Sequence, residues 1–317
     1  ARRRLTPGAA VTATFFRNAK LVLPDRVLSG GLRAENGRIA ALGSHLTPLA
    51  GDEIIDVAGD YLAPGFIDLH VHGGDGADFM DGTPEAFATV CAAHLRHGTT
   101  SLLPTSTVAS HEQIMAFLQQ CRLRLSARGS RILGAHFYGP YFAPNARGCH
   151  PAATLRPPEE REFAEYLDFA DVIKLATVAP ELPGAESFAR ACAERGVRLN
   201  AGHSHATFEQ MEAAIGWGVR HVDHLFCAMS DRARLRATQT FPMRGGVMEA
   251  TLFFDELTTE VIADGKHLQR ELLLLAYKCK GPDRLVLVTD CNRALDQPDG
   301  PSIMGPLDGG EPIIKRD

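Results

Sequence analysis

The sequence predicts an α/β protein, a (β/α)8 barrel preceded by a short all-β segment. Three observations predict it. After Pro64, eight short apolar runs recur, separated by amphipathic stretches of helical period. Before Pro64 the patterning is strands and turns only. Histidine or aspartate stands at the end of several runs, and barrel folds place their chemistry at the C-terminal ends of strands.

Residues 1–62 are expected to hold an N-terminal tail and a β segment. ARRRLTPGAAVTATFF is basic, then small and polar, and lacks the continuous apolar stretch of a signal peptide. FFRNAKLVLP and VLSGGLRAENGRIAALG follow, and Glu35-Asn36-Gly37 between apolar alternations is a hairpin signal. The segment is too short for a core of its own, so it is expected to pair with another part of the chain.

Residues 63–317 carry the barrel pattern. The runs are FIDLHVH (66–72), TTSLLPT (99–105), RILGAHFYG (131–139), VIKLATVAP (172–180), VRLNAGHSH (197–205), VRHVDHLF (219–226), TEVIADG (259–265) and RLVLVTD (284–290). PEAFATVCAAHLRHG, ESFARACAERG and HLQRELLLLAYKCKG between them read as helices. A doubly wound open sheet is the competing fold, but no GxGxxG follows a strand.

Composition bounds the function. With 317 residues, 45% hydrophobic and 22% charged, the chain suits a globular enzyme with a large core. Its net charge of -5 offers no nucleic-acid-binding face. Seven scattered cysteines without a CxxC pair predict reduced thiols and a cytoplasmic setting. No run nears the ~18 apolar residues that span a membrane.

The sharpest chemical signal is His70-Val71-His72. Residues i and i+2 of a strand point to one face, so both imidazoles should project into the barrel mouth. Imidazole suits zinc and similar divalent ions. Further histidines end the later runs, His136 with Tyr138 on the third, His203 and His205 on the fifth and His224 on the sixth; His267 follows the seventh and Asp290 ends the eighth. A divalent ion held there lowers the pKa of a bound water toward ~7, and Asp290 is placed to take its proton. The bland reading is a barrel whose polar histidines are satisfied by hydrogen bonds.

PGFIDLHVHGG (64–74), GPYFAPNARGCHP (139–151), AGHSHATFEQ (201–210), HLFCAMS (224–230), IADGKHL (262–268) and LVTDCNRA (287–294) together resemble the amidohydrolase superfamily, and within it the N-acetylglucosamine-6-phosphate deacetylases. The resemblance runs from about Phe15 to Gly305. It implies a metal-dependent barrel with a small β-sandwich domain formed partly by the N-terminal segment. It also implies a homodimer that removes acetate from N-acetylglucosamine 6-phosphate. It assigns metal-ligand roles to His70, His72, His203 and His224, and a general acid/base role that can also touch the metal to Asp290. His150 matches a sugar-contacting histidine and His267 a substrate-contacting one. Cys227 and Ala228 fall where backbone amides meet the phosphate. The phosphate arginine is placed at Arg244, in MRGGVMEA, with Arg232 and Arg234 behind it.

Departures from the family pattern set further expectations. The family's HLEGP is HFYGP here, so Tyr138 replaces a metal-binding glutamate. A phenol of ordinary pKa ~10 is a poor ligand, and the reading is therefore one ion per chain, zinc or else iron, manganese or cobalt, on the HxH side. His205 replaces an asparagine and is read as an extra ligand, a partner of a ligand or a surface cap. Cys227 replaces another asparagine and is expected to be an inert thiol. The chain is expected to be part of a longer protein whose last helix and returning strands lie outside it. Two rival functions stand beside the deacetylase: an amidohydrolase acting on another N-acyl or cyclic amide, and a catalytically impaired sugar-phosphate-binding descendant.

Overall fold

A computed structural model describes residues 13–125, 129–230 and 243–316. The chain divides after Gly65 into two compact units.

The first unit is a five-stranded sheet of β1 (Ala13–Val22), β2 (Val27–Glu35), β3 (Arg38–Gly43), β4 (Glu53–Asp56) and β5 (Tyr61–Leu62). The strands β1, β2 and β3 run antiparallel in succession, while β4 and β5 pair in parallel with β1. The β2–β3 turn falls at Asn36 (φ 50°) and Gly37 (φ 72°), the two left-handed positions that a tight hairpin needs. Ala13, Phe15, Ala19 and Leu21 of β1 are buried, and Arg33 clamps Asp52 through Nε at 3.0 Å to both oxygens.

The second unit holds β6 (Phe66–Val71), β7 (Gly73–Gly74), β8 (Ala77–Asp78), α1 (Pro84–Arg96), β9 (Thr99–Pro104), α2 (His111–Leu123), β10 (Arg131–Ile132), β11 (Ala135–Tyr138), α3 (Glu160–Leu167) and β12 (Ile173–Val178). It continues with α4 (Ala185–Glu194), β13 (Arg198–Ala201), α5 (Phe208–Trp217), β14 (Val219–Val222), α6 (Val247–Phe253), β15 (Thr258–Ile262), α7 (Arg270–Lys280) and β16 (Leu285–Val288). Strands β6, β9 and β10 form one parallel sheet, and β11 to β16 form another in chain order. A bridge from Thr105 to His136 joins them, and the Asp290 N–H donates to the His70 carbonyl (2.9 Å) beyond β16. The eight expected runs thus occupy successive positions around a TIM-type barrel.

The third run is broken in two at Gly134. A Cβ there would lie 2.5 Å from the Val172 carbonyl oxygen, and its φ of 150° disfavours any side chain. Helix starts are written in the sequence: Thr207 and Gln210 form a capping box that opens α5, directly after the GHSH segment. Phe79, Phe87, Val90, Phe117 and Leu118 fill the space around α1 and α2, and Phe137, Tyr166 and Phe188 extend the same apolar layer behind β11.

The chain ends on a hairpin that sequence patterning did not anticipate, β17 (Gly300–Met304) with β18 (Glu311–Lys315). Arg293 ties it down: its guanidinium donates to both Asp81 oxygens (2.6 and 3.1 Å), to the Gly76 carbonyl (3.0 Å) and to the Gly305 carbonyl (3.0 Å).

Candidate active site and metal centre

The mouth of the barrel gathers imidazoles from three strand ends, β6, β13 and β14, and a phenol from a fourth, β11. His70 and His72 are both fully buried at the end of β6, as their spacing requires. Each ring has its Nδ1 side fixed by the protein. His70 Nδ1 lies 2.5 Å from Glu260 Oε1, and His72 Nδ1 lies 3.1 Å from the Thr105 carbonyl oxygen. Both acceptors take a proton, so the rings turn their Nε2 atoms toward Asp290. The separations from Asp290 Oδ1 are 3.6 Å for His70 and 3.2 Å for His72, yet neither Nε2 has a hydrogen-bond partner.

Buried polar atoms without a partner are costly and rare. These fit a metal. Two ligands of one tetrahedral zinc, each about 2.0–2.1 Å from it, stand about 3.3 Å apart. The distances from Asp290 match that edge, and the three residues form a group able to hold an ion. The electrostatics agree. Burial pushes the Asp290 carboxyl up, but His70 and His72 hold it well below the usual carboxylate range, so it is ionised. Burial likewise pushes His70 down, but the Asp290 and Glu260 carboxylates outweigh it and raise the ring to about 10.

The other side of the mouth is wired differently. His203 Nδ1 donates to the Ala146 carbonyl (2.7 Å), leaving its Nε2 lone pair 3.2 Å from His224 Nε2. Tyr138, buried at the end of β11, places its hydroxyl 2.5 Å from the same His224 Nε2. That separation is a short hydrogen bond and is too small for two ligands sharing one ion. Burial, reinforced by Asp290 and Asp223, raises the Tyr138 phenol well above its ordinary value, so it stays neutral. The phenol therefore takes the place beside His224 as a hydrogen-bonding group. Among the described residues, no metal-holding group includes His203 or His224.

Three of these residues sit in strained backbone: φ is 45° at His203, 24° at His224 and 49° at Asp290. Left-handed non-glycine residues concentrate at functional sites, where the surrounding structure holds them.

The remaining candidates are spread more widely. His150 is buried in the mouth, its ring 4.8 Å from that of His203 and 6.0 Å from that of His72, and burial holds it neutral. The Cys227 N–H donates to the His224 carbonyl (2.9 Å), so in this structure that amide closes a turn; Ala228 follows at φ 50°. His267 is half-exposed in the loop after β15 and bonds Asp264 (2.7 Å). Arg244 is exposed and pairs with Glu209 (3.3 Å). His205 is a loop cap: its Nε2 bonds the Asn145 carbonyl (3.0 Å) and its N–H bonds Glu181. Arg232 and Arg234 lie outside the described residues. His136 lines the barrel interior, its ring 5.0 Å from that of His70, and bonds the Thr177 hydroxyl (2.9 Å).

Sequence reasoning missed the acidic layer beneath the mouth. Glu260 on β15 bonds His70 through Oε1 and His221 through Oε2 (3.2 Å). Asp223 accepts from Thr177 (2.6 Å) and Asn200 (2.8 Å). The signal was available: a glutamate inside the apolar run TEVIADG, at an inward position, is buried only if paired.

A family model described as the amidohydrolase family matches residues 61–295. N-acetylglucosamine-6-phosphate deacetylase of Lysinibacillus sphaericus is 30% identical over 275 residues, 86% of this chain and 68% of its own. That of Bacillus subtilis is 32% identical over 293 residues, 90% of this chain and 72% of its own. N-acetylgalactosamine-6-phosphate deacetylase of Escherichia coli O157:H7 is 32% identical over 272 residues, 85% of this chain and 68% of its own. The chain thus spans about two thirds of these relatives' length. Among solved structures, the Pasteurella multocida N-acetylglucosamine-6-phosphate deacetylase is similar with a TM-score of 0.87 at 29% identity, covering 96% of this chain and 77% of that one. A mutant of the Mycobacterium smegmatis deacetylase in complex with N-acetyl-D-glucosamine-6-phosphate has a TM-score of 0.80 at 29% identity, covering 93% of this chain and 75% of that one.

Proposed function

This chain belongs to the amidohydrolase family, and on that premise we propose that it is a hydrolase that removes acetate from N-acetylglucosamine 6-phosphate. The observation that carries the reading is the pair of buried, unpartnered Nε2 atoms of His70 and His72 facing the ionised Asp290. His70, His72 and Asp290 would hold one divalent ion, zinc or else iron, manganese or cobalt, with His203 and His224 on the opposite wall. When bound, that ion supplies a Lewis acid and a water of lowered pKa.

Asp290 takes a proton from the water that adds to the amide carbonyl. It then hands that proton to the departing nitrogen as the carbon–nitrogen bond breaks, giving acetate and the 6-phosphate amine. His150, buried and neutral beside His72, orients the sugar. His267, Arg244 and the backbone at Cys227 and Ala228 are assigned to the phosphate end by the family resemblance. Tyr138 leaves a single ion as the working complement. The chain works as a cytoplasmic homodimer, and its N-terminal sheet is part of a small β-sandwich.

The test is acetate release from N-acetylglucosamine 6-phosphate with zinc, manganese, cobalt or iron added, beside the unphosphorylated sugar. Release only from the phosphorylated sugar is expected. Equal rates on both sugars reject the phosphate site, and release by Asp290→Asn as fast as by the wild type rejects the proton role. The galacto epimer belongs in the same assay, because the relative named for it is as similar as those named for the gluco sugar.

A further inference from the structure

We propose that Glu260 is a positioning residue for the metal centre, holding the His70 ring in the tautomer and orientation that present its Nε2 to the ion. The inference rests on the functional reading above and deepens it.

Glu260 sits on β15, fully buried, and reaches His70 across the barrel interior. Its Oε1 lies 2.5 Å from His70 Nδ1 and 3.2 Å from the His224 backbone nitrogen. A carboxylate can only accept from an N–H, so the contact keeps a proton on Nδ1 and makes Nε2 the nitrogen that is free to give up its proton and turn a lone pair to an ion. That Nε2 is the buried atom without a partner, on the Asp290 side of the ring. One carboxylate thus fixes the ring of one strand and the backbone at the end of another.

Glu260 is itself anchored. Its Oε2 meets His221 Nε2 at 3.2 Å, and His221 Nδ1 meets the Thr258 hydroxyl at 2.7 Å. His221 also lines a cavity of about 440 Å³ at the N-terminal ends of β13, β14 and β15. The chain His70–Glu260–His221–Thr258 therefore runs down the barrel from the ion face toward its other end.

A competing assignment makes Glu260 a ligand, since His70, Asp223 and Glu260 also lie close enough to surround an ion. The distances argue against it. The 2.5 Å separation of His70 Nδ1 from Glu260 Oε1 is a hydrogen bond, shorter than the ~3.3 Å between two ligands of one zinc. Both Asp223 oxygens are already taken by Thr177 and Asn200. The pattern is instead a carboxylate backing a histidine ligand, and loss of such a partner lowers metal affinity about 10–100-fold.

The experiment compares wild type with Glu260→Gln, which keeps the volume but removes the obligate acceptor. Zinc affinity is read by chelator competition, and the cobalt-loaded proteins are compared by visible absorption. Glu260→Gln should bind zinc about 10–100-fold more weakly, alter the cobalt bands and lower kcat with little change in KM. A merely structural role lowers the melting temperature while leaving affinity and cobalt bands as in the wild type, and that result overturns the proposal. A second reading needs no folded variant at position 260. Nitrogen-detected NMR of the zinc-loaded wild type should find His70 protonated on Nδ1, with the signal identified by its loss in His70→Gln; protonation on Nε2 overturns the proposal. If the wild type binds no divalent ion, the functional reading falls and this inference with it. If it binds one and Glu260→Gln binds it equally well, only this inference falls.

Discussion

The two walls of the barrel mouth use similar parts to opposite ends. On the β6 wall, two imidazoles have their Nδ1 atoms held by Glu260 and Thr105 and leave both Nε2 atoms unpartnered beside a carboxylate. On the β13–β14 wall, two imidazoles face one another Nε2 to Nε2 at 3.2 Å, and a tyrosine hydroxyl closes on one of them. The first wall leaves both Nε2 atoms unpartnered beside a carboxylate; the second pairs its Nε2 atoms and leaves only His224 Nδ1 without a partner. The difference teaches that histidine count is a poor guide to metal count. What matters is which nitrogen the fold leaves unpaired, and whether an anion stands about one tetrahedral edge away.

The comparison breaks most visibly on the β6 wall. Replacing both His70 and His72 with Ala should abolish tight ion binding and lower acetate release by at least about 10³-fold, within the range of losing a general base and its ion. Elemental analysis and an acetate assay check it; an ion retained at wild-type stoichiometry would move the centre to the other wall. The converse substitution, Tyr138→Glu, puts a carboxylate between the walls. It should raise the ion content from one per chain to two, read by elemental analysis after dialysis. A content still at one would mean that the β13–β14 wall is closed for some reason other than the phenol.

A smaller effect comes from Tyr138→Phe. It removes one of the two partners of His224 Nε2, leaving His203, and should cost about 0.5–1.5 kcal/mol, the net worth of one hydrogen bond, seen as a lower denaturation midpoint of the ion-free protein. Ion content should not change. Stripping the ion with chelator should also lower stability, by about 4 kcal/mol if the free ion stood at a thousand times its Kd, and re-adding it should restore the melting temperature.

The smallest effect lies away from the mouth and serves as its control. Hydrogen bonds from Arg33 and the Leu49 N–H hold the Asp52 carboxyl below its ordinary value. A depressed carboxyl contributes stability above its unfolded pKa of ~3.9, and that contribution is lost as pH falls through the folded value. Amide exchange in β1 and β2 should therefore speed up below about pH 4. Asp52→Asn should flatten this response and leave ion binding unchanged.

Much of the barrel was legible because parallel strands, buried on both faces, write themselves as short apolar runs. The HxH pair was legible for the same reason, since strand geometry alone puts both rings on one face. Other features were written in contacts between distant positions. Tyr138 and His224 are 86 residues apart, and nothing local to either says that they touch. Glu260 is marked as buried by its place in the apolar run TEVIADG, but only the fold shows that its partner is the ring of His70. The hairpin of β17 and β18 carries Pro301 and Pro312, which weaken any strand signal. Arg293, an interior anchor with five acceptors, looks like any charged loop residue in the sequence.

The left-handed backbone at His203, His224 and Asp290 has a consequence for how this protein can change. Each of those positions would be relaxed by glycine, at a gain of up to about 1–2 kcal/mol apiece. That relief competes with the buried contacts those side chains make and with the ion that Asp290 would hold, so the strain is carried by the same groups that do the chemistry. Any stabilisation of this scaffold has to screen for chemistry as well as for melting temperature.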